Sequence, residues 1–271
     1  MRLEMSYLSD TGLVRDHNED YLSCDDTLGL VVLADGMGGY QAGEVASEIA
    51  VQTVMSNLTE LAESATEEND NPLAAHTSLQ LEQAIVKANQ SIFKAAEEQT
   101  KYHGMGTTIV AALFHDNTAF IAHVGDSRLY RLRHREFKPL TKDHSVLQDL
   151  IDCGYYTPEQ ARHSPNRNLV TRALGVSKTV NVDVQEQFVL ANDIYLLCSD
   201  GLNDMLEDIE IYNILNECQH DLSLAAQNLV DAANNKGGED NISVILVRVL
   251  LEDLNQDRNW WQKLVNFRFL T

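Results

Sequence analysis

Aspartate residues stand at the ends of apolar runs at several points along the sequence. LGLVVLA ends at Asp35, AFIAHVG ends at Asp126, and IYLLCS ends at Asp200. Asp240, followed by Asn241, lies just before the apolar run ISVILVRVLL, and the acidic pair at 19–20 directly precedes YLSC. A single aspartate at a strand end is ordinary turn chemistry, because Asp bends and caps the backbone at little cost. Repeated at several strand ends, the pattern predicts that these carboxylates converge if the strands share one sheet edge.

Convergent carboxylates without basic partners are typical of a divalent-cation site. Like charges a few ångströms apart raise each other's pKa, and a bound cation removes that conflict. The sequence has no HExxH, no EF-hand run and no Cys/His cluster with ligand spacing. Carboxylate oxygens suit Mg²⁺ or Mn²⁺, and two such ions can activate a water molecule and bind a phosphoryl group. Structural binding of Ca²⁺ at the same acidic residues stays an alternative.

Other devices for phosphoryl or acyl chemistry do not occur in the sequence. There is no GxxxxGK[ST] run, and the segment 36–41 fails GxGxxG because Gln41 takes the place of the third glycine. The segment 125–128, GDSR, does not have the spacing of a GxSxG nucleophile elbow. Metal-activated water is therefore favoured over a serine or cysteine nucleophile.

The charge of the chain excludes some partners. The 271 residues include 20 Lys and Arg against 41 Asp and Glu, a formal net charge of −21. This balance argues against nucleic acid and against an anionic membrane surface, since both are bound through Lys and Arg. An anionic substrate would need positive charge from bound cations.

The cysteines and the apolar runs predict a cytoplasmic protein. Cys24, Cys153, Cys198 and Cys218 form no CxxC pair, so we expect reduced thiols. The first residues, MRLEMSYLSD, contain no apolar core of a signal peptide, and no apolar run approaches the length of a membrane span.

Hydrophobic periodicity predicts the elements that must position the carboxylates. Helical spacing favours helices over 43–61 and 79–99, with the polar segment between them as an exposed loop. The strand-like runs TTIVAALF, TAFIAHV and RLYRLR are separated by short gaps and predict a meander of neighbouring strands. Two further helices are expected near 207–217 and 221–235. Strands before helices and again after them favour one α+β domain over a repeated βαβ fold.

Eight segments, in order, resemble the PP2C (PPM) family of metal-dependent protein Ser/Thr phosphatases in its compact bacterial form. They are TGLVRDHNED (11–20), VLADGMGGYQAGEVAS (32–47), MGTTIVAA (105–112), IAHVGDSRLYRL (121–132), LTKDHS (140–145), RNLVTRALG (167–175), LLCSDGLNDML (196–206) and GGEDNISVILV (237–247). The resemblance implies an α+β fold, a four-layer α-β-β-α sandwich of two antiparallel sheets flanked by helix pairs. It implies a phosphatase domain over 1–250 with a flap-like segment at 145–170.

The resemblance also implies the core metal ligands. Asp35 would bridge two core ions, Mn²⁺ or Mg²⁺, and the carbonyl of Gly36 would bind one of them. Asp200 and Asp240 would complete the shell of the second ion. We therefore expect Asp35 and Asp200 to be catalytic.

Further site residues are implied around this core. Glu19 would act largely through metal-bound water, with Asp20 behind it. Asp126, together with Asp200, matches a weaker third-metal site. Arg15 matches the arginine that binds the substrate phosphate and is expected to be catalytic, because a planar guanidinium can bind two phosphate oxygens at once.

The implied function is hydrolysis of phosphoserine and phosphothreonine on proteins by a metal-activated water, with no phosphoenzyme. The expected partners are phosphoproteins, among them a cognate bacterial Ser/Thr kinase and its targets, and the expected state is a monomer. A catalytically silent phosphoprotein-binding scaffold stays an alternative.

Some positions depart from the family or fall outside the resemblance. Met37 and Tyr40 stand where some members have histidine, so the general acid is not assigned. His17 is expected to be a surface histidine, and His163 and Arg167 to be substrate contacts. The aromatic and basic tail 251–271 is not covered, and it packs on the domain or contacts a partner or membrane interface.

Overall fold

A computed structural model describes residues 1–38, 42–67, 72–157, 160, 164 and 169–250 of the chain. The predictions made for Tyr40, His163, Arg167 and the tail 251–271 lie outside these residues. The division into a domain over 1–250 and a separate tail therefore stays a prediction. Within the described ranges, no helix has the length and apolarity needed to cross a membrane.

Two antiparallel sheets form the centre of the protein. The first sheet consists, in its order across the sheet, of β1 (Arg2–Asp10), β11 (Ile242–Leu250), β10 (Ile194–Cys198), β7 (Arg128–Arg133) and β8 (Glu136–Pro139). The second consists of β2 (Asp20–Asp25), β3 (Leu30–Met37), β5 (Ile109–His115), β6 (Thr118–Val124) and β9 (Asp183–Phe188), with the short β4 (Gly106–Thr107) paired to the end of β3.

Helices cover the outer faces of both sheets. The second sheet is covered by α1 (Ala42–Glu67) and α2 (Pro72–Glu98), and the first by α5 (Asp208–Glu217) and α6 (Leu222–Asn235). Two shorter helices, α3 (Val146–Asp152) and α4 (Asp200–Asn203), lie in the connections. The predicted four-layer α-β-β-α sandwich is confirmed.

The alternation of side chains along β3 explains why the strand is apolar throughout. Leu30, Val32 and Ala34 pack in the layer shared with α1 and α2. Val31 and Leu33 point the other way, into the layer between the sheets. Because successive side chains of a strand face opposite sides, a strand buried on both faces needs apolar residues at every position.

The meander predicted for three consecutive strands is wrong at its second gap. β5 and β6 are antiparallel neighbours, but the turn after β6 leads into the other sheet, where β7 pairs with β8 and β10. Gly125 in this turn has a φ of 111°, a left-handed conformation that favours glycine. Strands buried on both faces suit either sheet, so the apolar pattern could not tell the sheets apart.

The loop predicted between the first two helices is also wrong for most of its length. α1 continues to Glu67, and α2 begins at Pro72. Residues 62–67 are good or acceptable helix formers, and proline is tolerated at the first position of a helix. The two later helices lie within one residue of their predicted bounds.

Candidate metal and active site

Asp35 lies at the end of β3, where its backbone is held from both sides. Its N–H donates to Thr108 Oγ1 at 3.0 Å, and its C=O accepts from Thr107 Oγ1 and from Thr108 N–H, both at 2.8 Å. Asp20 is its cross-strand partner on β2. The two carboxyl-bearing residues are thus fixed opposite each other by the register of the second sheet.

Asp200 and Asp240 come from the first sheet. Asp200 begins α4 two residues after the end of β10, and Asp240 lies two residues before β11. Ser199 Oγ donates to Asp20 Oδ2 at 2.8 Å and so joins the two groups across the sandwich. The carboxylates therefore converge as predicted, but from one end of two stacked sheets rather than from a single sheet edge.

Two glycines let α1 approach the end of β3. A Cβ on Gly36 would lie 2.1 Å from the carbonyl oxygen of Gly43, and a Cβ on Gly43 would lie 2.8 Å from the Glu19 carboxyl. The carbonyl of Glu19 accepts from Gly36 N–H at 3.1 Å and from Ser47 Oγ at 2.6 Å. Sequence reasoning assigned no role to Gly43 or Ser47, although both lie in the segment 32–47 that carries the family resemblance.

Arg15 lies on the loop 11–19, at the rim of the carboxylate group. Its Nη2 donates to Asp240 Oδ2 at 2.6 Å, and half of its side chain is exposed. The loop is held by Asn241, which is buried. Its Nδ2 donates to the carbonyl oxygens of Thr11 and His17, and its Oδ1 accepts from the backbone N–H at position 19. Sequence reasoning gave Asn241 no role, although it directly follows an expected ligand.

Asp126 is buried in the turn between β6 and β7. Ser127 Oγ and Thr108 Oγ1 form a hydrogen bond of 2.7 Å. Because Thr108 Oγ1 also accepts from the Asp35 N–H, this bond connects the turn to the end of β3. Asp126 and Asp200 line a common groove of about 700 Å³. The structure thus places every expected ligand at one end of the sandwich, with Asp126 toward this groove.

Burial and mutual repulsion favour the protonated form of these carboxyl groups in the absence of cations. Burial raises the pKa of Asp20 to about 6, with Asp240 and Glu19 adding to the shift while the Ser243 and Ser199 hydroxyls oppose it. Burial likewise raises the pKa of Asp126 to about 6.

The pKa values of the two carboxyls expected to be catalytic shift in the same direction. Burial, followed by the charge of Asp20, raises the pKa of Asp35 well above its usual range. Burial, followed by the charge of Asp126, does the same for the pKa of Asp200. Positive charge placed among these groups would relieve the repulsion.

The oxygen atoms gathered at this end of the sandwich fit a hard divalent cation. Within the described part of the chain, Glu19 Oε1, Asp20 Oδ1 and Asp200 Oδ1 are buried carboxylate oxygens without a hydrogen bond. Buried polar atoms in native proteins normally have a partner, so such atoms point to a ligand. The neighbouring atoms that could complete the coordination of a cation are further carboxylate and carbonyl oxygens. Mg²⁺ and Mn²⁺ prefer such atoms.

This sandwich, with carboxylates of both sheets gathered at one end, defines the class of metal-dependent protein phosphatases. The family model described as protein phosphatase 2C matches residues 14–232, and the chain belongs to that family. The predicted family, fold and enzyme class are confirmed.

Relatives of known name support this assignment over nearly the whole chain. The serine/threonine phosphatase stp of Listeria monocytogenes is 38% identical over 257 residues, 94% of this chain and 98% of that protein. The protein phosphatase PhpP of Streptococcus pneumoniae is 36% identical, over 93% of this chain and 99% of that protein.

Solved structures agree with the sequence relatives. The Mycobacterium tuberculosis serine/threonine phosphatase PstP/Ppp superposes with a TM-score of 0.83 at 36% identity, covering 93% of this chain and all of that one. The catalytic domain of PstP in complex with two manganese ions gives a TM-score of 0.79 at 36% identity, covering 92% of this chain and 99% of that one.

Proposed function

We propose that this chain removes phosphate from phosphoserine and phosphothreonine residues of proteins, with Mn²⁺ or Mg²⁺ as its cofactor. The observation that carries the proposal is the set of buried carboxylate oxygens without a hydrogen bond at one end of a protein phosphatase 2C sandwich. The two manganese ions in the related PstP structure support the choice of metal.

The residues that would hold two core ions are Asp35, Asp200 and Asp240, with the carbonyl of Gly36. Glu19 lies beside them and contributes a buried oxygen without a hydrogen bond. Bound ions supply positive charge for the phosphoryl oxygens and lower the pKa of a coordinated water.

Asp20 and Asp126 have supporting places in this proposal. Asp20 stands behind the core set, where one of its oxygens is already engaged by Ser199. Asp126 and Asp200 share the groove and would hold a weaker third ion. A groove of this size beside the core also leaves room for the protein chain that flanks a phosphorylated residue.

Arg15 is suited to bind and orient the phosphate group. It lies at the exposed rim, where a phosphorylated side chain on another protein can reach it. Its hydrogen bond to Asp240 uses Nη2, whereas a guanidinium offers five N–H donors in a planar fork. The remaining donors match the oxygens of a phosphate monoester, and their fixed positive charge favours the charge that develops on those oxygens during hydrolysis.

The physiological setting belongs to the proposal as well. We expect the substrates to include a cognate Ser/Thr kinase and its targets, and the enzyme to act as a monomer in the cytoplasm. The similarity to bacterial serine/threonine phosphatases over most of the chain supports the substrate class. Size-exclusion chromatography with light scattering tests the monomer.

Release of phosphate from a phosphothreonine peptide tests the function. We expect activity with Mn²⁺, loss of activity with EDTA, and loss in Asp35→Asn. Asp116→Asn is the matched control, since it makes the same change at a side chain that is 82% exposed. Peptide binding without phosphate release would favour the scaffold alternative, and release that EDTA leaves intact would contradict the metal-dependent mechanism.

A further inference from the structure

His123, His144 and Asp183 bring three ionisable side chains together outside the carboxylate group. One ligand-type atom from each lies within 4.8 Å of the others, which by composition alone suits a transition metal. His123 and His144 are buried, and their rings stack with centroids 4.6 Å apart. His123 Nε2 lies 2.8 Å from the carbonyl oxygen of Lys142. The hydrogen bonds of the His144 ring decide whether the cluster can bind a metal.

The position of its protons argues against a metal at His144. Gly125 N–H donates to His144 Nδ1 at 3.0 Å, so Nδ1 carries the lone pair. The proton of the neutral ring is then on Nε2, which lies 3.3 Å from Asp183 Oδ2. Burial, and then the charges of His123 and Arg172, lower the pKa of His144 and favour this neutral form. A neutral ring whose Nδ1 accepts the Gly125 N–H and whose Nε2 carries the proton has no lone pair left for a cation.

His144 accepts its hydrogen bond from Gly125 N–H, which belongs to the turn that carries Asp126. A Cβ on Gly125 would lie 2.6 Å from the Thr108 side chain, so the turn is tightly enclosed. The hydrogen bond from Gly125 N–H is buried, and leaving such a donor unpaired would destabilise the turn. The backbone N–H of His144 donates in return to Gly125 O at 2.9 Å. His144 therefore holds Gly125 at both its N–H and its C=O.

His144 also connects this turn to the segment that follows the flap-like region. Its carbonyl oxygen accepts from Thr171 N–H at 2.7 Å. Nearby, Val146 N–H donates to Leu169 O at 2.9 Å. Through the buried His144, the turn at Asp126 is thus fixed relative to the segment that contains His144 and to the segment that contains Thr171.

We propose that His144 is a positioning residue for Asp126, acting through the hydrogen bond from Gly125 N–H to its Nδ1. The inference rests on the proposed role of Asp126 as a ligand of the weaker third cation. His144 itself touches neither that cation nor the substrate. Replacing residues that orient metal ligands typically changes metal affinity or activity by about 10- to 100-fold, so the third site is where the effect is expected.

Two amide substitutions at the same position separate this role from simple packing. In His144→Asn the side-chain oxygen can occupy the place of Nδ1 and accept the Gly125 amide, whereas in His144→Gln the amide group reaches the place of Nε2 instead. We expect Gln to weaken the binding of the last Mn²⁺ by about 10-fold, and Asn to stay within about 3-fold of wild type. Isothermal titration with Mn²⁺ measures this without relying on activity, and circular dichroism checks that both variants are folded.

A second measurement follows the hydrogen bond directly. The exchange of the Gly125 amide hydrogen in ¹⁵N-labelled protein is expected to be slow in wild type and Asn, and faster in Gln. Equal Mn²⁺ binding and equal exchange in the Asn and Gln variants would overturn the inference.

Asp126→Asn shows which hypothesis has failed if the expected result is not obtained. If Asp126→Asn weakens the last Mn²⁺ and His144→Gln does not, the positioning role is wrong and the proposed site stands. If Asp126→Asn leaves Mn²⁺ binding unchanged, the assignment of Asp126 is wrong and the positioning role falls with it.

Discussion

Arg15 Nη2 lies 2.6 Å from Asp240 Oδ2, so the guanidinium expected to bind phosphate is paired with a carboxylate expected to bind a cation. Partial burial opposes the charge of Arg15, but Asp240, Asp200 and Glu19 together raise its pKa above the ordinary value. The Arg15 guanidinium therefore stays charged over the working pH range. It also places Arg15 beside the carboxylate group before any substrate arrives.

Arg15→Ala is expected to lower kcat/KM for a phosphothreonine peptide by roughly 10- to 100-fold, the equivalent of about 1.5–3 kcal/mol for a charged hydrogen bond. Arg15→Lys should recover part of this loss, because it keeps the charge but not the planar fork. The free energy of unfolding should change by less than about 1 kcal/mol, since the pair is half-exposed. Arg135→Ala, at an exposed arginine outside the site, is the control. An unchanged kcat/KM in Arg15→Ala would remove Arg15 from the site.

Asp200→Asn is expected to affect stability in opposite directions with and without metal. Without metal, it replaces a carboxyl whose ionisation is opposed by burial and by the charge of Asp126 with a neutral amide, so the melting temperature should stay equal or rise. With Mn²⁺ at 100 times its Kd, wild type should gain about 2.7 kcal/mol, and the variant much less. Differential scanning calorimetry measures both, with Asp116→Asn as the control. An equal gain in variant and wild type would show that Asp200 is not a ligand.

The metal-free protein is expected to lose stability as pH rises through about 6. Burial raises the pKa of Asp20 and of Asp126 to about 6 in the folded state, above the ordinary value of 3.8. A carboxyl with a raised pKa stabilises the fold while it is protonated, so its contribution is fully present below about 4 and is lost as pH passes 6. A rise in the pKa of one carboxyl from 3.8 to about 6 corresponds to at most about 3 kcal/mol in the free energy of unfolding.

Urea titrations of metal-free wild type and of the double variant Asp20→Asn, Asp126→Asn between pH 4 and 8 test this. The difference in free energy of unfolding between the two proteins should grow as pH rises from about 4 to about 6, and Mn²⁺ at pH 7 should reduce it. If the free energy of unfolding depends on pH in the same way in both proteins, the raised pKa values of Asp20 and Asp126 are contradicted.

The sequence alone named the carboxylates that the structure gathers at one end of the sandwich, but not the way the chain brings them together. Strand-end aspartates can be read directly from apolar runs, and their resemblance to a family supplied roles for Asp35 and Asp200. Which sheet a strand joins depends on the turn at Gly125 and on packing over long sequence distances, so the sequence could not show that the carboxylates come from two stacked sheets. The supporting contacts of Gly43 and Asn241 were missed because neither residue type suggests chemistry by itself.

Asn241→Asp is expected to destabilise the loop that carries Arg15. The substitution replaces Nδ2, which donates to the carbonyl oxygens of Thr11 and His17, with an oxygen that those carbonyls repel. Loss of buried hydrogen bonds costs about 1–3 kcal/mol, and the new charge adds to an already acidic region. The free energy of unfolding should fall by that amount, and KM for a phosphopeptide should rise because the loop no longer fixes Arg15. Asn213→Asp, at an exposed position of α5, is the matched control. If KM stays at the wild-type value while stability falls, Asn241 supports the fold but not the position of Arg15.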